Sequence, residues 1–395
     1  MSTTPRTTPD VDLAIVGGGL VGASLAVALS GKGFRVLLIE AAHPPAIAPQ
    51  WDERCIALNA RSQHIVQQLG LWPLLQAEAV AITATHISER GRFGMAQFTA
   101  ADAGLEALGH NLPLRHIGQT VWQAAQQAEG VQIRAPAAVT AVTASDQGVE
   151  LRLADGQTVH ARLLAAADGA QSAVRRALNI AAELHDYRQS AIVTAIRVQR
   201  PRAGVAYERF TPDGPIAVLP KPGDACSLIW TLPTAAAERA MALADEVFLA
   251  EAAACFGGRL GQWTALGRRQ CYPLLRTVST RLSAPSTMFV GNAAHALHPV
   301  AAQGFNLGLR DVAALVELLQ ACPLAQWADV PARYAAARTQ DAERTAGFTH
   351  SLVGLFSNRW PGLASARHLG LLGLNLLPGL KREVMWQNLG YGRQA

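Results

Sequence analysis

The spacing of apolar and polar positions changes along the chain, and each change marks an element. Residues 11–16, closing on the apolar run 13–16, read as a buried strand. A glycine-rich turn follows, then a helical pattern over 23–30 and a second strand over 34–39 that ends at Glu40. This succession is one βαβ unit of about thirty residues. Further helices are predicted around 61–69 and 121–128. Beyond Gly130 the pattern turns to short alternating segments at 131–134, 139–143, 149–153 and 158–164, separated by Asp-Gly and Gln-Gly turns. They predict a small antiparallel or mixed sheet that feeds back into the βαβ lobe. Strand-like runs at 191–198, 217–219 and 227–232, with breaks rich in Pro and Gly, predict the sheet of a second lobe. An Ala-rich helical stretch over 233–255, a strand over 288–290 and a helix near 307–319 complete the pattern.

Length and composition narrow the picture. A chain of 395 residues exceeds one ordinary core, so two lobes are expected. Half the residues are hydrophobic and 16% are charged, as in a well-buried globular enzyme. The net charge of +5 comes mostly from scattered Arg, with Lys only at 32, 221 and 381, and no basic stripe with interleaved aromatics speaks for nucleic acid. Cys55, Cys226, Cys255, Cys271 and Cys322 show no paired spacing, which argues against a disulfide framework or a metal site and fits a reducing compartment. The polar residues 1–10 lack the apolar core of a signal peptide, and no run of 18 apolar residues occurs. A cytoplasmic location is expected.

Four segments carry candidate chemistry. Gly17, Gly19 and Gly22 fit G-x-G-x-x-G, with Ala26 and Gly33 at spacings that suit close helix–sheet packing. The helix that follows offers free N–H groups to a pyrophosphate, and Glu40 is placed to accept hydrogen bonds from a ribose. The motif alone does not separate FAD from NAD. Residues 256–261 lack a preceding strand, so a second dinucleotide domain is disfavoured. Residues 163–172 run from an apolar strand through Asp168-Gly169 into a helix, which puts a carboxylate at the carboxyl edge of a sheet; read locally, the same residues serve as an ordinary turn with a helix cap. Gly291-Asn292 follows a strand, and the loop through Pro299 and Gly304 leads into a helix whose N-terminus suits negative charge on a reduced flavin. His295 and His298, three apart without a nearby acid or Cys, make a weak metal pair. No nucleophilic triad, carboxylate pair or P-loop stands out.

Taken together these segments resemble the single-component flavoprotein aromatic hydroxylases of the para-hydroxybenzoate hydroxylase superfamily. The glycine turn, Asp168-Gly169 and Gly291-Asn292 match its three FAD motifs in order, with Asn292 where Gly-Asp is usual. Within it, residues 291–311, Gly109-His110, Gly118-Gln119 and residues 369–381 are similar to the ubiquinone-biosynthesis hydroxylases, the 2-polyprenyl-6-methoxyphenol hydroxylase branch in particular. Ala301-Ala302 departs from the usual Ala-Gly. The resemblance implies an α/β fold with a Rossmann-like FAD-binding domain, a discontinuous mixed-sheet substrate domain and C-terminal helices. The implied FAD-binding parts are 1–80, 101–182 and 281–345, the substrate-domain parts 81–100 and 183–280, and the terminal helices 346–395.

The resemblance also implies roles for single residues. Glu40 would bind the adenosine ribose, Arg54 and Asp168 would lie at the FAD pyrophosphate, Gln119 at the flavin nucleotide and Asn292 at the ribityl chain. Gly304, Phe305 and Asn306 would offer backbone N–H groups to the isoalloxazine, and the Pro299 carbonyl would lie near the flavin hydroperoxide. Judged without the family, Arg54 and Gln119 read as solvated side chains. The implied reaction inserts one atom of O2 into a prenylated methoxyphenol through a flavin C4a-hydroperoxide, with NAD(P)H or another reductant as electron donor; no catalytic base is named by the sequence. Two alternatives stay open: a tailoring hydroxylase of a soluble aromatic, which predicts a compact polar pocket, and a flavin-binding subunit without turnover. The Leu- and Gly-rich residues 361–380, closed by Lys381 and Arg382, suit peripheral contact with the inner membrane or packing on the catalytic lobe or a partner of a ubiquinone-biosynthesis complex.

Overall fold

The computed structural model describes residues 9–42, 54–92, 94–298, 303–356, 370, 373–374 and 376–392. The first strand, Val11–Val16, is buried along its whole length and pairs in parallel with Val36–Ile39 on one side and Thr158–Ala166 on the other. Val131–Arg134 extends this sheet beyond Val36–Ile39, and Thr287–Phe289 extends it beyond Thr158–Ala166. Gly148–Leu153 and Val139–Ser145 add an antiparallel flap to Thr158–Ala166, as the Asp-Gly and Gln-Gly turns predict. The helix after the glycine turn starts at Leu20, three residues earlier than the apolar pattern suggests, and ends at Ala28, two residues earlier. The small residues of the glycine motif let the helix begin within the turn itself.

A second sheet runs in the order His295–Ala296, Gln270–Ser279, Ala182–Val198, Ala225–Pro233, Ile216–Pro220, Val205–Phe210, Ala84–Glu89, Met95–Thr99. One face packs on the helices Thr234–Met241 and Asp245–Phe256, where Ile192, Val218, Leu228, Trp230, Phe248 and Phe256 form its core. The Ala-rich stretch is thus two helices instead of one. A small third sheet, Cys55–Asn59, Gly109–Pro113 and Val80–Ile82, sits between the others in sequence. Cys55–Asn59 leads into the helix Ala60–Gln68, and Gly109–Pro113 into Leu114–Gln126. The helices Gln303–Ala321 and Val330–Phe356 pack on the first sheet's core, and Pro378–Asn388 brings Met385 against Phe98 and Phe210 of the second. Among the described residues no helix is long and apolar enough to cross a membrane.

Candidate functional site

Four of the sequence-predicted segments leave the first sheet at one level. Phe289, Ala166, Val16 and Ile39 are direct register partners in neighbouring parallel strands. The next residues on these strands open the turns at Gly291, Asp168, Gly17 and Glu40. Ligands of open α/β sheets bind at this carboxyl edge. The Gly17 N–H donates to the Ile39 carbonyl, the Ala167 N–H to Val16 and the Val290 N–H to Ala166, so the turns are laced to one another by backbone bonds.

The glycines have distinct duties. Gly17 adopts a φ of +105°, and a Cβ there would stand 2.4 Å from the Ala167 carbonyl oxygen. A Cβ on Gly22 would lie 1.9 Å from the Gly17 oxygen, so these two let the turn close and the helix approach. Gly19 is different: a Cβ there meets nothing within 4 Å, which marks open space above the helix N-terminus. The Glu40 carboxylate accepts from the Gly18 N–H at 2.5 Å and from the Ala42 N–H at 2.9 Å, bracing the loop with lone pairs to spare.

Asp168 accepts from the Val174 N–H through Oδ2, while Oδ1 is buried and has no partner among the described residues. A buried carboxylate oxygen without a donor is costly unless a ligand supplies one. Trp122 packs over Gly18, and its Nε1–H is buried without an acceptor among the described residues. Gln119, one turn earlier on the same helix, is half-buried, and neighbouring Gly118 lies 3.8 Å from Leu20 when given a Cβ. Asn292 is exposed at the rim of its turn. Open space over Gly19, an unanswered acid at Asp168 and an available amide at Asn292 suit a dinucleotide with donor hydroxyls. The residues present therefore fit FAD.

Arg54 departs from the solvated reading: its guanidinium lies over the Tyr272 ring at 5.2 Å, which joins the start of the third sheet to the second. The helix bearing Gly304, Phe305 and Asn306 begins at Gln303. Asn306 uses its side chain to accept from the Asn59 N–H at 3.0 Å and donate to the Ala57 carbonyl at 2.9 Å, fixing that helix start to the strand after Arg54. Pro299, Ala301 and Ala302 lie outside the described residues. His295 and His298 do not face one metal: His295 Nε2 is 2.8 Å from Asp311, and the His298 ring stands edge-on to Tyr187. Burial lowers the His298 pKa to about 4, so its imidazole is neutral at physiological pH.

Sequence reasoning missed the ionic cluster beneath the third motif. Asp311 Oδ2 accepts from the Gly291 N–H at 3.0 Å, and Oδ1 from Arg338 Nε at 2.8 Å. Arg338 and Arg310 both reach Asp341, and Arg310 also donates to Thr345. Burial pushes the Asp311 carboxyl up, but His295 and Arg338 outweigh it and leave the pKa below the ordinary value. Arg175 similarly ties the second motif to the third, donating to the carbonyls of Ala170 and Ala293. The only sequence signal was a run of charged residues at helical spacing, which a solvated helix face shares.

Val21 fills the gap between Gly291 and Gly308; a Cβ on Gly308 would stand 2.6 Å from its Cγ2. Alanine in a helix interior gains about 1 kcal/mol over glycine, but overpacking costs about 1–3 kcal/mol. Gly308→Ala is therefore expected to lower the thermal midpoint in the wild-type background and to raise it in a Val21→Ala background. An equal effect in both backgrounds would refute this packing account.

Residues 10–349 match the family model described as FAD binding domain. The chain is 38% identical over 384 residues to the ubiquinone hydroxylase UbiL of Rhodospirillum rubrum, covering 96% of this chain and 89% of that one. It is 34% identical over 390 residues to the 3-demethoxyubiquinol 3-hydroxylase of Escherichia coli, covering 97% and 100%. The fold superposes on the crystal structure of p-nitrophenol 4-monooxygenase PnpA from Pseudomonas putida DLL-E4 with a TM-score of 0.77 at 17% identity, over 98% of this chain and 99% of that one. The chain thus belongs to the FAD-binding-domain family of flavoprotein monooxygenases, the family of the ubiquinone hydroxylases.

Proposed function

We propose that this enzyme hydroxylates a polyprenylated methoxyphenol in ubiquinone biosynthesis, using FAD, O2 and NAD(P)H or another reductant. The observation that carries the reading is identity of 38% and 34% to two ubiquinone hydroxylases over nearly the whole chain, the second sheet included. Bound FAD supplies electron storage and dioxygen activation, chemistry that side chains lack.

The chain's own residues do the holding. Gly17, Gly19 and Gly22 bring backbone N–H groups to the pyrophosphate. Glu40 retains acceptor capacity for the adenosine ribose, and Asp168 Oδ1 awaits a donor beside the pyrophosphate. Arg54 supplies positive charge there, Gln119 reaches the nucleotide, and Asn292 binds the ribityl hydroxyls. Gly304, Phe305 and Asn306 present the first N–H groups of their helix to the isoalloxazine. Leu376, Leu377 and Leu380 are exposed beside Lys381 and Arg382, which supports peripheral contact with the inner membrane, where a prenylated substrate partitions, or with a partner enzyme of the same biosynthesis.

The reading is tested by lipid extraction and mass spectrometry of a strain deleted for this gene and lacking paralogues, grown in air. Accumulation of a prenylated methoxyphenol, with ubiquinone lost and restored by the wild-type gene, is the expected result. Undiminished ubiquinone would reassign the enzyme to a soluble aromatic.

A further inference from the structure

The end of the second sheet away from His295–Ala296 gathers cations that the surrounding side chains do not neutralise. Tyr207 and His86 are register partners in neighbouring parallel strands, and Tyr207 faces the helix-covered core. Arg209, two residues on, shares that face. The helix Asp245–Phe256 ends against it. A Cβ on Gly257 would stand 3.6 Å from Cζ, Nη1 and Nη2 of Arg209 alike, so the guanidinium lies face-on to the helix end. Arg259, in the turn that follows, donates from Nη1 to His86 Nε2 at 2.8 Å. Arg90 leaves the neighbouring strand with its N–H donating to the Phe210 carbonyl, and Arg202 precedes the strand of Arg209.

Four guanidinium groups thus crowd one corner. Burial lowers the His86 pKa, and Arg259, Arg209 and Arg202 lower it further. Burial lowers that of Arg209 too, with Arg259 and Arg90 adding to it. Among the described residues none of the four arginines pairs with a carboxylate, whereas Arg35, Arg239, Arg269 and Arg338 each do. The nearby acids are turned elsewhere. Glu208 and Glu89 alternate onto the opposite face of the sheet, and Asp213 acts on the Cys255 thiol but not on Arg209. The end of the helix supplies about half a negative charge, too little for four cations.

The hydrogen bonds are as incomplete as the charge. Arg209 is half-buried, and its Nε is buried without an acceptor among the described residues. His86 is 6% exposed, and its Nδ1 has no partner among them either. A guanidinium only donates, so His86 Nε2 accepts and the ring is neutral. His86 therefore holds Arg259 in place without adding charge. Like charges held together in a partly desolvated corner destabilise the fold unless a counter-charge enters. Paired guanidinium groups match the forked oxygens of a phosphate, which takes two hydrogen bonds from each.

We propose that Arg209 and Arg259, flanked by Arg90 and Arg202, form a binding site for the phosphate group of a ligand other than the cofactor. Five inter-strand steps of about 4.8 Å each separate the strand of Arg209 from His295–Ala296, which follows the third motif. That span keeps this phosphate apart from the FAD edge. A soluble phosphate ester and a phospholipid headgroup present the same group, and the site stands whichever phenol the enzyme hydroxylates.

The test uses the FAD-loaded enzyme at low salt, with the cofactor's own pyrophosphate site filled. Inorganic pyrophosphate is titrated by calorimetry. Vesicles of equal parts phosphatidylglycerol and phosphatidylcholine, and of phosphatidylcholine alone, are tested by co-sedimentation. Arg259→Gln and Arg209→Gln are compared with Arg152→Gln, which removes the same charge from an exposed position on the antiparallel flap. A soluble source predicts saturable binding of pyrophosphate and equal, weak retention on both vesicles. A headgroup source predicts retention on the anionic vesicles that pyrophosphate displaces. In either case Arg259→Gln and Arg209→Gln should weaken binding at least about 10-fold, the size of one charge-assisted hydrogen bond, and Arg152→Gln should not. The site is overturned if wild type binds neither probe, if binding survives in Arg259→Gln, or if Arg152→Gln loses as much as the other two. The exposed side chain of Arg259 makes that variant decisive even if Arg209→Gln does not fold.

Discussion

Asp311→Ala is expected to cost about 3–5 kcal/mol of folding stability, the usual penalty for stranding a buried charge. Three groups depend on this carboxylate: the Gly291 N–H, His295 and Arg338. Arg338 is 4% exposed, so water cannot take over. Asp341 still reaches Arg338 and Arg310, but one carboxylate then serves two buried guanidinium groups. The loss also frees the Gly291-Asn292 turn, so flavin content should fall with stability. Equilibrium urea unfolding at pH 7 measures the first effect and bound-flavin absorbance the second. A loss below about 1 kcal/mol would show that the cluster is not held through Asp311. The pH dependence has a definite sign. The folded-state pKa of Asp311 is depressed, so its contribution is present above the unfolded value of 3.8 and is lost as pH falls below it through the folded-state pKa. In Asp311→Ala that acid-limb dependence should diminish.

Much of the cofactor edge was legible because its chemistry is local. A glycine that must admit a close backbone, and an acid that ends a strand, announce themselves within a few residues. Gly17, Gly22, Glu40 and Asp168 were readable for that reason, and the parallel register then brings their turns to one level. What escaped was non-local. Nothing near Asp311 in sequence indicates that its partners are Gly291, His295 and Arg338, contributed by a turn, a short strand and a separate helix. Arg54 read as solvated because Tyr272, more than two hundred residues later, supplies the ring beneath it. The Ala-rich stretch read as one helix because alanine favours helix at every position, while the break at Leu243-Ala244 depends on packing against the second sheet.

The glycine turn allows a sharper separation of fold from cofactor. Gly22→Ala places a methyl 1.9 Å from a backbone oxygen, and neither the turn nor the helix can yield without breaking the bonds that lace the sheet edge. This variant is expected to lose both stability, by about 3 kcal/mol or more, and flavin. Gly19→Ala should behave differently. Gly19 has φ −66° and ψ −175°, which an L-residue adopts without strain, and open space surrounds the new methyl. The apoprotein should therefore unfold at the wild-type temperature. The methyl nevertheless stands over the helix N-terminus where a pyrophosphate must approach, and FAD affinity should drop at least 100-fold, about 2.7 kcal/mol. Thermal unfolding of the apoproteins and FAD titration by fluorescence quenching read the two quantities separately. If Gly19→Ala bound FAD normally, the pyrophosphate would have to lie elsewhere. If Gly22→Ala folded normally, the close approach of helix and turn would not be a condition of the fold. The expected split, one variant failing in both measurements and its neighbour in only one, is what a loop evolved for a ligand should show: some glycines are there for the chain, and Gly19 for the cofactor.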